Sequence, residues 1–456
     1  MKKILLSITG CLLFFTHQAQ EKKLLQQFKY RIQQYKALSF TSSANNDYNQ
    51  SNFNTAGSKT NSNTSGLNIN TNYTTIKSTD NILRSTNSNF YGGYNRAKVN
   101  DSAYENINHS FYLQPQININ NKWFTNQSFI ELGTQINGGY FNQHNTLDNI
   151  DYKSNEKQYS VTLTTGIGKG RLENITDMQN ALWLNKALTK QQLLTQPLTA
   201  QQLLTLGQTI TKANNTRVLD NRKRIQYVLK TVDTYLQQQA FINKIGIEYF
   251  SHLNDILFFA INNTRLAGTE KFIRLTPSLS GNDYTNIQNN ATTTFNTSNI
   301  IGTAILQIGI QQYIPANLVH QNNYGVKALL TYTNAKTISK QFVNQNITNT
   351  IENNSTLSKA AINSFYQHTY YPNTRTNISF TTTGEIGYQS AADNASLFGI
   401  VTALFDVNYF ISYNTRFTAT AGVNYQNNNY NAILYNVVQQ NNILYLYTRA
   451  GIEVNF

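Results

Sequence analysis

The sequence contains a single cysteine, Cys11, which lies within the first twenty of 456 residues. The remaining chain therefore has no disulfide framework, no cysteine-based zinc site and no thiol nucleophile. Only 5 residues are proline, which argues against a proline-rich linker protein. Beyond the N-terminus, no stretch reaches the roughly 18 consecutive apolar residues that indicate a transmembrane helix. Charged residues make up only 13% of the chain, about half the usual share.

Polarity comes instead from Asn, Thr, Ser and Gln, and Asn alone accounts for about one residue in seven. Aromatic residues reach 12%, too many for a disordered chain. The formal net charge is +14. This composition predicts an ordered protein with an uncharged polar surface.

The first 19 residues have the pattern of a signal peptide. Lys2 and Lys3 precede an apolar run over residues 4–15, and Ala19 is a small residue suited to cleavage. An alternative is a lipobox ending at Cys11, although the apolar run continues past that cysteine. The sequence therefore predicts an exported chain that is periplasmic, secreted or inserted in an outer membrane.

Residues 444–456 alternate between two kinds of side chain, which indicates a strand with two different environments. One set is Leu444, Leu446, Thr448, Ala450, Ile452, Val454 and Phe456; the other is Tyr445, Tyr447, Arg449, Gly451, Glu453 and Asn455. Residues 130–140, 159–167, 378–389 and 416–425 alternate in the same way. A tilted membrane crossing needs about 9–11 residues, and a terminal Phe456 is typical of the insertion signal of bacterial outer-membrane barrels.

These features predict an all-β membrane protein, an antiparallel transmembrane β-barrel of about 16 strands with a range of 12–18. Residues 20–169 would hold the first six strands and residues 241–456 the remaining ten. Residues 372–375 and 412–415 are predicted short periplasmic turns, and residues 281–298, 336–358 and 426–442 long outer loops. Pro115 and Pro277 lie in predicted strands and indicate bulges or misplaced boundaries. A soluble sandwich or adhesin is the alternative.

Residues 170–240 interrupt the strand pattern and predict a periplasmic helical insertion. Thr176 with Gln179, and Thr199 with Gln202, have capping-box spacing. Helical spacing predicts a small core of Leu203, Leu206, Ile225, Val228 and Leu229. The basic run of Arg222, Lys223 and Arg224 has two interpretations, a solvated helix face or a patch for an anionic cell-wall polymer or periplasmic partner.

The insertion is preceded by Gly166, Gly168, Gly170 and Arg171, and then by Glu173 and Asp177. This pattern resembles uncharacterised outer-membrane β-barrel proteins of Bacteroidota, which combine a Gly-Arg strand exit, Leu-rich helices and a C-terminal aromatic strand. The resemblance implies a barrel in the outer membrane of a Gram-negative bacterium, and no defined activity. The glycines match neither nucleotide-binding fingerprint. Arg171 and Asp177 are expected to anchor the first helix against the barrel rim.

The sequence gives little indication of catalysis. No two histidines have metal-ligand spacing, so neither a metal nor a cofactor is expected. Ser251 and His252 are adjacent, and adjacent residues on a strand point to opposite faces, so they form no dyad if extended. Nucleic acid is not an expected partner of an exported chain.

A set of charged residues is predicted to face the lumen: Glu131, Glu248, Arg274, Lys327, Glu385, Asp406, Arg416, Arg449 and Glu453. They would either pair across the lumen and rigidify it, or line a pore and order solutes. The function predicted first is a channel or transporter for small polar solutes, with residues 21–38 as a helical plug. The alternative is a non-transport barrel that anchors or scaffolds partners. Expected partners are outer-membrane lipid and the barrel-insertion machinery.

Overall fold

The computed structural model describes residues 19–52, 59–100, 105–147, 150–216, 221–238, 241–258, 264–288, 293–343, 346–391, 394–412, 415–432 and 437–454. Most of the predicted signal peptide, with Cys11, and the terminal Phe456 lie outside these residues. The described chain forms one 14-stranded antiparallel sheet in which every strand pairs with the next in sequence.

Six strands precede the helices, as predicted, and eight follow them instead of ten. The first six are β1 (Ile32–Asn52), β2 (Lys59–Ser78), β3 (Ile82–Asn100), β4 (Glu105–Thr125), β5 (Ser128–Leu147) and β6 (Ile150–Asn174). The others are β7 (Leu266–Gln288), β8 (Thr293–Pro315), β9 (His320–Val343), β10 (Asn346–Tyr370), β11 (Thr376–Ala391), β12 (Asn394–Phe410), β13 (Thr415–Ala432) and β14 (Val437–Val454).

The count is 14 rather than about 16, within the predicted range of 12–18, because the strands are longer than a membrane crossing. The predicted outer loops 281–298, 336–358 and 426–442 consist mostly of paired strand residues. The many Asn and Thr residues of these segments predict loops, yet their backbone groups complete the ladders. The predicted short turns at 372–375 and 412–415 are confirmed within a residue by the ends of β10 and β12.

Pro115 and Pro277 both lie inside strands, and each coincides with a local break in one ladder. Pro115 pairs with Phe90 of β3, whereas the β4–β5 ladder skips from Leu113 to Gln116. Pro277 pairs with Ala304 of β8, and the β6–β7 ladder is interrupted opposite it. A proline lacks the backbone donor, so one of its two ladders loses a hydrogen bond.

Within the described residues, five helices accompany the sheet. Residues 19–27 form α1, and α2 (Thr176–Lys190), α3 (Ala200–Asn215), α4 (Asn221–Gln238) and α5 (Ile247–Phe258) separate β6 from β7. The insertion therefore runs from 176 to 258, not from 170 to 240, because β6 extends to Asn174. In consequence Glu248, Ser251 and His252 lie on α5, so Glu248 does not lie on a strand of the sheet as predicted. No described helix is long and apolar enough to cross a membrane.

The helices share one apolar core with the chain start, and we call residues 19–30 and 175–258 the helical domain. Leu203, Leu206 and Val228 are buried in it and Leu229 packs against it, as predicted, whereas Ile225 is 39% exposed. Leu25 and Phe28 are also buried in this core. The predicted helix over residues 21–38 was wrong in extent, because the helix ends at residue 27 and β1 begins at Ile32.

The two predicted capping boxes have different outcomes. At α3, Thr199 and Gln202 form the reciprocal box. At α2 the cap residue is Ile175, with no side-chain cap bond. The Thr176 hydroxyl instead accepts a hydrogen bond from the Arg265 backbone N–H at 3.0 Å. Helix α2 is thereby fixed to the segment that leads into β7.

Asp177 anchors α2 to α3 rather than to the sheet. Thr211 Oγ1 lies 2.7 Å from Asp177 Oδ2, and Asn214 Nδ2 donates to Oδ1 at 3.0 Å. Thr211 Oγ1 also lies within 3.1 Å of the Gly207 carbonyl. A hydroxyl has one proton, so Thr211 shares it between the Asp177 carboxyl group and the Gly207 carbonyl. Burial raises the pKa of Asp177, which the two hydrogen bonds only partly counteract.

We expect Asp177→Asn to stabilise the helical domain at pH 7 by about 1–3 kcal/mol, since an amide avoids the cost of a buried charge. The pKa of Asp177 is higher in the folded state than in the unfolded state. Its contribution to the free energy of unfolding is therefore fully present below the unfolded-state pKa. That contribution is lost as the pH rises through the folded-state pKa. The variant should therefore show less loss of stability between pH 4 and pH 7. Trp183 of α2 can report urea unfolding in a Trp123→Phe background.

Asp233→Asn is the matched control, because Asp233 of α4 is only half-buried and accepts from the Tyr249 hydroxyl at 3.0 Å. It should not raise stability. A loss of stability in Asp177→Asn at pH 7 would show that the charged carboxylate is the stable form.

Candidate functional site

One face of the sheet, which we call the outer face, carries exposed apolar side chains in registered rows. Ladder partners place one such row across β4 to β11: Trp123, Ile130, Ile167, Ile273, Ile308, Ala328, Ile362 and Ile386. Ile130, Ile167 and Ile308 are 62%, 58% and 52% exposed. The adjacent row contains Leu132, Leu275, Leu306 and Leu330. Such rows form a continuous apolar surface.

The opposite, inner face is polar and contains a buried cluster of four charges. Lys122 Nζ lies 2.8 Å from Glu270, and Arg274 Nε lies 2.7 Å from Glu131. Arg274 Nη2 also lies 2.5 Å from Glu270. All four side chains are at most 17% exposed. Glu131 and Arg274 belong to the set predicted to line a lumen, and the structure pairs them across strands.

Lys122 and Glu270 were missed by the sequence interpretation. Glu270 lies four residues before Arg274 on the same strand, so the period of two could have placed it on the inner face. The Lys122 ammonium also lies 4.8 Å from the centre of the Phe129 ring. With two cations and two carboxylates the cluster is formally neutral.

The glycines before the insertion make this cluster possible. Gly166 lies between Glu131 and Arg274 in the ladders. A Cβ at Gly166 would come within 3.0 Å of Arg274 Cγ and of the Ile273 carbonyl oxygen. The absence of a side chain therefore allows Arg274 to cross β6 and reach Glu131. Gly168 accommodates the Phe129 ring in the same way.

The other predicted lumen residues fall into smaller groups. Glu385 pairs with Lys359 at 2.5 Å and accepts from Asn363, while Lys327 lies opposite Asn363 in the ladder. Asp406 accepts from the Thr420 hydroxyl at 2.7 Å.

The last three predicted charges lie on β13 and β14. Arg416 lies directly opposite Glu453 and Arg449 opposite Thr420 in the register. The Arg416 guanidinium also lies 5.9 Å from the centre of the Phe410 ring. The side chain of Glu453 is outside the described residues.

The helical domain lies at one end of the sheet, which we call the helix-side rim. At this rim Arg171 follows Gly170, whose φ of +97° is unfavourable for other residues. Arg171 donates to the Thr79 carbonyl at 2.7 Å and to the Ser78 hydroxyl at 2.9 Å. It therefore anchors the β2–β3 turn, as part of the rim rather than of the first helix.

Arg31 links the start of β1 to the same region. Its Nη1 lies 2.9 Å from Glu173 at the end of β6, and its Nε lies 2.9 Å from Asp80 in the β2–β3 turn. Arg31 thus connects three separate segments at one position on the rim.

Arg265 is the most buried cation of the described chain. No pattern in the sequence predicted its burial. It is 1% exposed. Its guanidinium donates to the carbonyls of Asn317 and Leu318 at 2.6 and 2.7 Å and to Gln321 Oε1 at 2.6 Å. Burial lowers the pKa of Arg265 to about 10, so it stays charged at neutral pH. The β8–β9 turn is thereby held against the helical domain.

A polar pocket of about 280 Å³ lies on the inner face beneath this rim. Its lining includes Gln321, Asn323 and Gln367, which form a hydrogen-bonded chain that begins at Arg265. Gln321 and Asn323 are 2% and 5% exposed. By contrast, inner-face residues farther from the rim, such as Thr303, are half-buried. The side chains of the inner face are therefore more buried near the helix-side rim than farther from it.

Helix α5 extends the contact to the β10–β11 turn, where Arg375 Nε donates to Asp255 Oδ1 at 2.8 Å. Since α3 also contacts β1, the helical domain touches the rim at β1 and at the β10–β11 turn. Its core also includes Ala267 of β7 and Leu318 of the β8–β9 turn. The domain is thus fixed to the sheet at several points along the rim.

The predicted basic patch lies in the first turn of α4. Lys223 and Arg224 are exposed, and Arg224 Nη2 donates to the Asn214 carbonyl at 3.3 Å. The side chain of Arg222 is outside the described residues. Two histidine pairs meet across strands, His109 with His144 at 6.4 Å and His320 with His368 at 5.4 Å between ring centres. Within the described chain, no group of three metal-ligating residues comes together.

Comparison with known proteins gives weak similarities. The sequence matches no protein-family model and no curated protein. Among solved structures, the TodX monoaromatic hydrocarbon channel deltaS2 mutant is 8% identical, with 96% of this chain and 93% of that chain covered and a TM-score of 0.29. OmpT, an outer-membrane protein of Vibrio cholerae folded in vitro, is 8% identical over 94% and 99% of the chains, with a TM-score of 0.23. These scores are too low to support an argument about fold or function.

Gly166→Val should destabilise the protein by about 1–3 kcal/mol, because a branched side chain would overpack against Arg274 and the β7 backbone. The temperature at which the heat-modifiable folded form is lost on gel electrophoresis should fall. Gly302→Val is the matched control, since a Cβ at Gly302 meets no atom within 4 Å. Equal stability of the two variants would contradict the crossing role of Gly166.

Proposed function

We propose that the protein is an outer-membrane β-barrel that passes small polar solutes and whose periplasmic mouth is covered by the helical domain. The observation that carries the proposal is the division of the sheet into an outer face of exposed apolar rows and a polar inner face. Large exposed apolar patches are rare on soluble monomers. In a bilayer, the same rows would be removed from water by contact with lipid. The pairing of the strands would provide hydrogen bonds for the backbone N–H and C=O groups.

The position of the apolar rows supports the orientation. The row through Ile130 and Ile167 lies only a few residues from the helix-side rim, whereas the strands extend far beyond it at the other end. Outer-membrane barrels have short periplasmic turns and longer extracellular extensions. The helix-side rim is therefore assigned to the periplasm, and the Asn-rich strand ends to the cell exterior.

The inner face supports passage of polar rather than apolar solutes. A barrel of 14 strands is larger than the 8-stranded type whose interior side chains fill, and slightly smaller than the 16–18-stranded porins. Thr, Asn and Gln dominate the half-buried inner positions. The neutral cluster of Lys122, Glu131, Glu270 and Arg274 provides no single-sign ring, so weak ion selectivity is proposed.

The second candidate is a scaffold that binds a periplasmic or cell-wall partner through the helical domain. Exposed apolar residues favour it: Ile247 is 91%, Ile245 53% and Phe250 40% exposed. In addition, Lys223 and Arg224 occupy the first turn of α4, where a cation is unfavourable to the helix dipole. An anionic partner would relieve that cost. We assign no catalytic role to any residue.

A cysteine at Gln191 should test the orientation, because Gln191 is exposed at the end of α2. In intact cells it should resist a membrane-impermeant maleimide, and it should react once the outer membrane is permeabilised. A cysteine at Tyr48, exposed near the far end of β1, is the control and should react in intact cells. Labelling of the Gln191 position in intact cells would reverse the proposed orientation.

Conductance measurements in planar bilayers should test whether the protein passes ions and whether the helical domain restricts that flow. The wild-type channel should conduct little, and Arg375→Ala should raise conductance severalfold because it releases α5 from the β10–β11 turn. Lys336→Ala is the matched control: it breaks an ion pair of 2.6 Å with Glu352 on the far half of the sheet. A cysteine pair at Asp255 and Arg375, bridged by a short bis-maleimide, should keep conductance low.

The channel proposal would be overturned if the wild-type protein and the Arg375→Ala variant were both correctly folded and neither conducted ions. In that case the scaffold is favoured. Co-sedimentation with purified peptidoglycan, lost in Lys223→Gln/Arg224→Gln, would then identify a cell-wall partner.

A further inference from the structure

We propose that the outer face of β5 to β10 binds an anionic phospholipid of the periplasmic leaflet, with its phosphate between Lys169 and Lys271. This inference rests on the proposed function, because it requires the outer face to contact lipid. The proposed lipid site lies on the outer face of the sheet, opposite the charge cluster of the inner face.

The first observation is a pair of like charges in direct register. Lys169 of β6 lies opposite Lys271 of β7, and both side chains are exposed on the outer face. Residues directly opposite have Cβ atoms only about 4.5–5.5 Å apart, and like charges there are unfavourable. Within the described chain neither lysine forms an ion pair. An anion bound between the two ammonium groups would remove the repulsion.

The second observation is the set of neighbours in the same row. Ser128 lies opposite Lys169, and Thr125 lies opposite Ser128, so two hydroxyl groups extend the row of lysines along the rim. A phosphodiester offers several acceptor oxygens, which suit two ammonium groups and hydroxyl donors. The row is polar over β4 to β7 and becomes apolar at Ile310 and Val326 of β8 and β9.

The third observation is an apolar groove directly beside the lysines. It has a volume of about 990 Å³ and is lined by both lysines, by the row from Trp123 to Ile308, and by Ile362. Ala328 is the only small side chain in that row between β4 and β11, and it lies between Ile308 and Ile362. The resulting gap can accommodate an acyl chain. A smaller groove of about 350 Å³, lined by Leu275, Leu306, Leu330 and Ala360, begins one row farther from the rim.

The depth of the site fits a lipid headgroup. Lys169 and Lys271 lie one row closer to the helix-side rim than Ile167 and Ile273, which is about 6.6 Å along each strand. Trp123 belongs to the same isoleucine row, and tryptophan is enriched at membrane interfaces. The lysines are therefore at headgroup level and the isoleucines at the start of the acyl region. Charge and groove together select a phospholipid with a net negative headgroup rather than a free phosphate.

The test uses the full-length protein in nanodiscs of phosphatidylethanolamine with a minor fraction of phosphatidylglycerol, followed by native mass spectrometry. Wild-type protein should retain phosphatidylglycerol in preference to phosphatidylethanolamine. Lys169→Gln/Lys271→Gln should reduce that retention about 10–30-fold, as expected for two basic groups near an anionic surface. Inorganic phosphate added in excess should not displace the lipid, because it lacks the acyl chains.

Two further variants separate the contributions. Lys153→Gln/Lys157→Gln removes the same charge from the same face of β6, far from the rim, and should leave retention unchanged. Ala328→Leu fills the gap without a change of charge and should reduce retention severalfold. Folding of every variant is verified by heat-modifiable migration, which also tests the barrel independently of lipid binding.

Equal retention of both lipids, or equal loss in both double-lysine variants, would overturn the site while leaving the barrel intact. Displacement by inorganic phosphate alone would show a simple anion site and would also overturn the proposal. A dimer that persists in detergent and is lost in Ala328→Leu would assign the groove to a second copy of the chain instead. If neither the wild-type protein nor any variant showed a folded barrel, the result would count against the proposed function rather than against the lipid site.

Discussion

The continuous antiparallel ladder is the constraint on which the rest of the structure depends. Each strand pairs with its sequence neighbour over nearly its whole length, so the register fixes the face and the row of every side chain. A shift by one residue would place Ile167 on the polar face and Gly166 on the apolar one. The apolar rows, the buried charge cluster and the pair of Lys169 and Lys271 are all consequences of one register.

The inner face shows how a sheet can hold charges without a strong field. Glu131 and Arg274 are two strands apart, and the missing side chain of Gly166 lets them meet. Because Lys122 and Glu270 complete the cluster, each buried charge has a partner, which avoids the large cost of an unpaired buried ion. The same cluster therefore stiffens the wall near the rim and leaves the inner surface close to neutral.

At the rim, packing and charge act together. The apolar core of the helical domain includes Leu25 from the chain start and Leu318 from the β8–β9 turn, so the domain and the sheet form one packed unit there. Arg265 bonds to the β8–β9 turn, Arg31 bonds to the β2–β3 turn and to the end of β6, and Arg375 of the β10–β11 turn bonds to α5. A domain held by several separate contacts can be loosened at one edge without unfolding, which is what the proposed channel requires of its cover.

The sequence by itself determined the strand alternation, the two faces, the helical insertion and its Leu203, Leu206 and Val228 core, because these depend on local periodicity. Only the tertiary structure decided the strand number and length, since Asn- and Thr-rich segments pair or form loops with similar local preference. It also decided the partner of Arg274, the burial of Arg265, and the packing of α1 in the core of the helical domain. Glu248 fell on a helix because the insertion continues to residue 258. These features depend on contacts between residues distant in the chain, which no local pattern encodes.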